Sequence, residues 1–193
     1  MIVVRTKDEE KQEALFEATV KVVNQIGFAS SSVSKIAKAA GVSPATLYTY
    51  HKNKEDLLVS TYLNVKRKLS DIVMEEIDET LPIRDIFRQV WFNLFQFTVQ
   101  HPDYFQFSEQ FSNSPFNDQR LQNDIDQMFM PIVRLIRRGI KRKVIKDLDV
   151  DIISAFIFYP VIILANPRLC RNFDATNEQI DQSFRLAWDA IKL

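Results

Sequence analysis

Three glycines, one cysteine, two histidines and no net charge are the scarce features of this 193-residue chain. Few glycines and seven prolines, set among abundant Leu, Ile, Phe, Lys and Glu, argue against an all-β protein. The lone Cys170 excludes an internal disulfide framework and a cysteine-based zinc site. His51 and His101 lack metal-ligand spacing, and no Gly-rich phosphate loop or nucleophile elbow appears. No metal, cofactor or enzymatic activity is therefore expected. The most apolar run, Ile152 to Ala165, spans 14 residues. A membrane span needs about 20, so this run reads as a buried helix. The N-terminus turns polar at once and lacks the apolar core of a secretory signal. A soluble, cytoplasmic, all-α protein with no membrane partner is expected.

What charge there is falls unevenly. Residues 1–68 hold eleven Lys and Arg against seven Asp and Glu, a net of +4, and residues 69–193 carry the balancing −4. Between Ala18 and Lys54 stand five lysines and no acid. A basic head on an acidic body is the pattern of a protein that meets phosphates at one end.

The head is punctuated like a set of short helices. Thr6 and Glu9 form a capping box that opens the first helix, Leu15, Ala18, Val22 and Ile26 mark one face of it, and Gly27 closes it. Ser31 or Ser32 caps a second helix carrying Val33, Ile36, Ala37 and Ala40, which stops at Gly41. Ser43 followed by Pro44 is an N-cap and N1 pair opening a third, from Ala45 to Tyr50, and Asn53 caps a fourth. That fourth helix keeps its period through Ile77, up to Leu81-Pro82. Beyond it the periodicity predicts helices over 83–100, 103–111, 118–142 with a kink at Pro131, 150–165 and 176–192. About nine helices result, divided into a DNA-binding domain at 1–54 and a helical ligand-binding and dimerisation domain at 55–193.

Ile36 to Leu58 carries the function. Two short helices meet at Gly41, the small Ala37 and Ala40 let them approach closely, and Val42 and Leu47 fill the angle between them. That is the logic of a helix-turn-helix. The second helix shows Pro44, Ala45, Thr46, Thr49 and Tyr50 outward, side chains suited to base edges and thymine methyls in a major groove. Lys52 and Lys54 follow at once, placed for phosphates.

The segment resembles the TetR family of transcriptional regulators. The matching residues are Gly27-Phe28, Ser31-Ser32-Val33, Ile36-Ala37, Ala40-Gly41-Val42-Ser43, Thr46-Leu47-Tyr48, Tyr50, Lys54-Glu55 and Leu57-Leu58. His51 departs from the pattern, which usually has Phe there, and packing is its expected role. The resemblance implies a homodimer on double-stranded DNA, reading a palindromic operator with half-sites about 34–36 Å apart. Carried over by position, Pro44, Ala45 and Thr46 face bases. Tyr48, Tyr50, Lys52 and Lys54 contact phosphates, as do Ser32 and Lys35 from the second helix.

The body is rich in aromatic residues, with ten Phe or Trp between positions 83 and 129. Bodies of this family enclose a cavity for a small-molecule effector, and such a cluster would suit an apolar or aromatic one. Phe87, Trp91, Phe95, Phe107, Phe111 and Phe129 are its expected lining, with Arg88 and Glu109 as polar anchors. The helices at 150–165 and 176–192 resemble the family's dimer interface, with Ile152, Phe156, Tyr159, Ile163, Phe184, Trp188 and Ile191 facing the partner. The implied function is a ligand-responsive regulator, a repressor released by its effector. A binding or scaffold protein of the same fold without specific DNA binding is the alternative. The basic run from Arg134 to Lys146 reads as a solvated face near a helix C-terminus.

Overall fold

A computed structural model describes residues 6–75, 77–173 and 175–193. Among them are ten helices: α1 (Lys7–Ser30), α2 (Val33–Ala39), α3 (Pro44–Tyr50), α4 (Lys54–Val73), α5 (Ile83–Gln100), α6 (Pro102–Ser112), α7 (Gln119–Met128), α8 (Met130–Lys141), α9 (Val150–Ala165) and α10 (Asn177–Ile191). The β-pairing among the described residues is one isolated bridge, Ile145 with Lys192. No described helix is long and apolar enough to cross a membrane. Backbone contacts group the chain into two compact units, one reaching Lys66 and including Asp103–Gln122, the other Arg67–Pro102 with Asn123–Leu193.

In the first unit the capping signals act as the sequence predicts, while α1 runs past Gly27, where it was expected to close. Thr6 and Glu9 close a reciprocal capping box, with the Thr6 amide donating to Glu9 Oε2 at 2.7 Å. Gly27, at φ +75°, breaks the helical path of α1, and three further residues complete the helix to Ser30. Ser32 caps α2 by accepting from the Lys35 amide, and Ser43 caps α3 by accepting from the Thr46 amide at 3.0 Å, with Pro44 behind it. Gly41, at φ +69°, makes the turn between them, a conformation that costs other L-residues about 1 kcal/mol or more. The enclosed core joins Leu15, Ala18 and Val22 to Ile36, Ala37, Leu47 and Leu57. Ile26 falls outside it and is largely exposed. Helix α6 belongs to the same unit, with Phe107 and Phe111 against Phe28 and Phe111 stacked on Tyr62 at 4.2 Å.

The second unit departs from the periodic pattern at two places. Helix α4 ends at Val73 rather than running to Leu81. The Asn93 side chain donates to the Val73 and Glu75 carbonyls, satisfying acceptors that a further turn would otherwise have used. The segment expected as one kinked helix is two, α7 and α8, because Phe129 leaves the helical region and Pro131 sits in the first turn of α8. Proline fits there without breaking a bond, so it starts a helix instead of bending one. Nine expected helices become ten for this reason.

The core of the second unit is aromatic, with α5 laid against α9 and α10. Trp91 lies edge-on to Phe184 at 6.0 Å, and Phe87 meets Trp188 at 5.6 Å. Gly139 of α8 lies under Ile145, and a methyl there would stand 2.4 Å from the Ile145 Cδ1. Ile145 is 1% exposed, and its Cγ1 would lie 2.9 Å from the same methyl, so the side chain must repack within the core. Alanine favours the helix by up to about 1 kcal/mol, and overpacking costs about 1–3 kcal/mol. We expect Gly139→Ala to lower the midpoint of urea unfolding, against its propensity.

Candidate functional site

Helix α3 presents one outward face. Pro44, Ala45, Tyr48 and Thr49 are exposed, while Leu47 is wholly buried and ties the helix to the head core. Tyr48 is 54% exposed, a large aromatic with more than half of its surface open to solvent. Thr46 is half-buried, its hydroxyl 2.9 Å from the Ser43 hydroxyl, and the Thr49 hydroxyl donates to the Thr46 carbonyl at 2.6 Å. Ser32 and Lys35 lie exposed at the start of α2, where the Lys35 ammonium donates to the Ser30 carbonyl at 3.1 Å. Lys52 is exposed, and among the described residues no carboxylate pairs with its ammonium.

Two expected contacts turn inward instead. Tyr50 packs on the head core, and its hydroxyl donates to Asp8 at 2.5 Å. That hydrogen bond, aided by desolvation, pushes the phenol above its ordinary value. The Lys54 ammonium donates to the Phe28 carbonyl, near the end of α1, so one of its three donors is already used. His51, at the end of α3, is half-buried with Nδ1 3.4 Å from an Asp56 carboxyl oxygen.

The body holds a cavity of about 580 Å³ in the second unit, within the range of small-molecule sites. The last turns of α4 line it with Leu69 and Val73, α5 with Leu94, and the α7–α8 junction with Phe129, Met130, Ile132 and Val133. One row of α9 supplies Val150, Ser154, Phe158 and Ile162, and the charged or polar groups are Asp126, Arg137, Asp151 and Tyr159.

Of the residues expected to line an effector site, Phe129 alone lines this cavity. Phe87, Trp91 and Phe95 are filled core, and the Trp91 indole donates to the Ile157 carbonyl at 2.9 Å. Phe107 and Phe111 are buried in the other unit, and Glu109 is exposed on α6. Arg88 donates to Asp181 at 2.9 Å and lies over the Phe92 ring, 4.6 Å from its centre. The cause is packing: α5 turns its aromatic face to α9 and α10, so the rings are consumed by the core. The lining residues that sequence reasoning missed are Arg137, Asp126 and Ser154, together with Tyr159, which it assigned to the dimer face. The signal for Ser154, the four-residue spacing of Val150, Ser154, Phe158 and Ile162, is hidden because nearly every residue of α9 is apolar.

The Arg88 pair has a pH signature. Its hydrogen bond to Asp181, aided by Arg185 and opposed by partial burial, holds that carboxyl below the ordinary aspartate value of 3.8. A depressed carboxyl adds stability above its unfolded value and loses it as pH falls through the folded one. Asp181→Asn should therefore be less stable than the parent at pH 7, and the gap should close below about pH 4, measured by urea unfolding.

The outer face of α9 is an apolar stripe. Ile152, Phe156, Tyr159 and Ile163 are 47, 59, 62 and 48% exposed. Phe184, Trp188 and Ile191, expected to share that outer face, are instead buried within their own chain, where they cover α5 and α9. Leu186 is the large exposed apolar residue of α10.

A three-helix core with a Ser-Pro-capped helix held outward defines a helix-turn-helix DNA-binding protein with a helical body. Comparison with known proteins places it further. The model for the bacterial regulatory proteins of the tetR family matches residues 15–61, and that for a tetracyclin repressor-like C-terminal domain matches residues 82–192. The chain belongs to the TetR family of transcriptional regulators. A TetR-family transcription regulator from Marinobacter aquaeolei is 33% identical with a TM-score of 0.91, over 98% of this chain and 99% of that one. An HTH-type transcriptional regulator of Haemophilus influenzae is 27% identical over 183 residues, 93% of this chain and 95% of its own length. FadR of Bacillus subtilis, solved in complex with stearoyl-CoA, shares the fold at 22% identity and a TM-score of 0.69, over 91% of this chain and 95% of that one.

Proposed function

We propose that this DNA-binding regulator is a repressor, binding a palindromic operator as a homodimer in the cytoplasm and released by a small apolar or aromatic effector. The observation that carries the reading is the outward face of α3, where Pro44, Ala45, Tyr48 and Thr49 are exposed beside Lys52, whose ammonium meets no carboxylate among the described residues. Residues 1–54 act as the DNA-binding part and residues 55–193 as the sensing and dimerising part. Pro44, Ala45, Thr46 and Thr49 meet base edges, while Tyr48, Lys52, Ser32 and Lys35 meet phosphates. Lys54 and Tyr50 contribute chiefly by fixing the helices that carry these residues, and the remaining donors of Lys54 stay available to a phosphate. The α9 stripe of each protomer packs on the other's, bringing α9 and α10 of both into a four-helix bundle.

The effector occupies the cavity lined by Phe129 and the inner row of α9, with Arg137, Asp126 and Asp151 as anchors for its polar group. Helix α4 carries the signal, because Leu57 and Leu58 at its start are buried in the head while Leu69 and Val73 at its end line the cavity. An effector releases DNA only if it binds the DNA-free arrangement more tightly than the bound one.

Selection of bound duplexes from a random pool tests this reading. Recovered sequences should be palindromic, with half-sites spaced by about one helical turn, and binding should weaken steeply with salt. A log–log salt slope near zero with no enriched sequence would favour the scaffold protein of the same fold.

A further inference from the structure

We infer that the effector cavity is completed by the second copy of the chain, so that effector binding and dimerisation are one linked equilibrium. The inference rests on the homodimer and cavity readings just given. Its basis is the division of α9 into three faces, since successive helical residues turn by about 100°. Ile153, Ile157 and Val161 point into the core and are fully buried. Ser154, Phe158 and Ile162, one step round, line the cavity. Ile152, Phe156, Tyr159 and Ile163 form the exposed stripe.

Tyr159 belongs to both of the last two faces: it lines the cavity and is 62% exposed on the stripe. The cavity's charged lining residues, Asp126, Arg137 and Asp151, are exposed as well, so its mouth opens to solvent between them and Tyr159. Between the cavity row and the stripe, α9 offers only the exposed methyl of Ala155, too small to close that mouth. Small-molecule sites bury about 70–90% of their ligand, and a mouth flanked by a dimer stripe gains its missing wall when the partner docks.

The same turn of α9 is locally weakened. Pro160 has no amide hydrogen, so the Phe156 carbonyl lacks its helical donor just where Phe156 and Tyr159 face outward. Contents of the cavity that shift Tyr159 therefore alter the surface offered to the partner. By reciprocity, whatever factor dimerisation adds to ligand affinity at each cavity, each bound ligand adds to dimer affinity.

The test uses the full chain with 1-anilinonaphthalene-8-sulfonate, an apolar dye carrying one anionic group, followed by fluorescence, and sedimentation equilibrium to report the dimer. Phe156→Arg removes the stripe without touching the cavity lining. Its monomer is expected to bind the dye at least tenfold more weakly than the parent dimer, and saturating dye, filling both cavities, should lower the parent's dimer dissociation constant by the square of that factor. Far-UV circular dichroism checks that the variant is folded. If it is not, diluting the parent through its dimer dissociation should release dye in step with monomer. Equal dye affinity in monomer and dimer overturns the linked site while leaving the cavity reading intact. No dye binding to the parent dimer refutes the cavity reading and this inference with it.

Discussion

Trp91→Ala is expected to remove about 3–5 kcal/mol of stability, the usual cost of deleting a wholly buried aromatic. Against the typical 5–15 kcal/mol of a folded domain, that loss leaves the second unit marginal. Trp91 has no exposed surface and sits among Phe92, Phe95 and Phe184 with ring centres about 6 Å away. Its indole also donates to the Ile157 carbonyl, a hydrogen bond of a kind that contributes about 0.5–1.5 kcal/mol net. Trp91→Phe separates the two contributions: it keeps most of the ring volume and loses the hydrogen bond, so its cost should fall well short of alanine's. Urea unfolding followed by circular dichroism reads both. The same pair decides what the aromatic cluster is. A plastic ligand pocket would tolerate Trp91→Ala for less than about 1 kcal/mol and lose effector binding, whereas a packed core loses stability first.

The head was legible because its signals are local. Thr6 with Glu9, Ser32, Ser43 with Pro44, and Asn53 each act on backbone groups two or three residues away, so reading them needs no knowledge of the rest of the chain. The end of α4 was not legible, since Asn93 lies 20 residues from the Val73 carbonyl it caps. Pro131 was ambiguous for another reason: a proline starting a helix and one kinking it leave the same apolar period on either side. In the body, composition showed a surplus of rings but not their partition. Phe107 and Phe111 serve the first unit, Phe87 and Trp91 the second, and that division follows from packing between distant segments. Helix α9 defeats periodicity altogether, because its core row, cavity row and outer stripe are all apolar apart from Ser154, Tyr159 and the acids at its start.

The second large effect is expected at α3, where two substitutions should fail in different ways. Lys52→Ala removes an exposed ammonium that pairs with no carboxylate among the described residues, so it should weaken binding to the selected operator and to an unrelated duplex alike. Each phosphate contact contributes about one unit to the log–log salt slope, and a homodimer carries Lys52 twice, so the slope should fall by about two. Thr46→Ala should instead weaken the operator selectively. A base contact is worth about 1–3 kcal/mol, and two copies together give roughly 30-fold to more than 10⁴-fold. The Ser43 cap survives this change, because it accepts from the Thr46 amide rather than from the side chain alone. Fold stability should therefore be nearly unaltered. Thr46→Val and Thr46→Ser then identify the contact: the first keeps the methyl offered to a thymine, the second the hydroxyl that now meets Ser43. Fluorescence anisotropy with both duplexes between about 50 and 200 mM salt, the range over which phosphate contacts dominate the change, resolves the two patterns. Equal losses on both duplexes for Thr46→Ala would remove that residue from base recognition and leave Pro44, Ala45 and Thr49 to carry it.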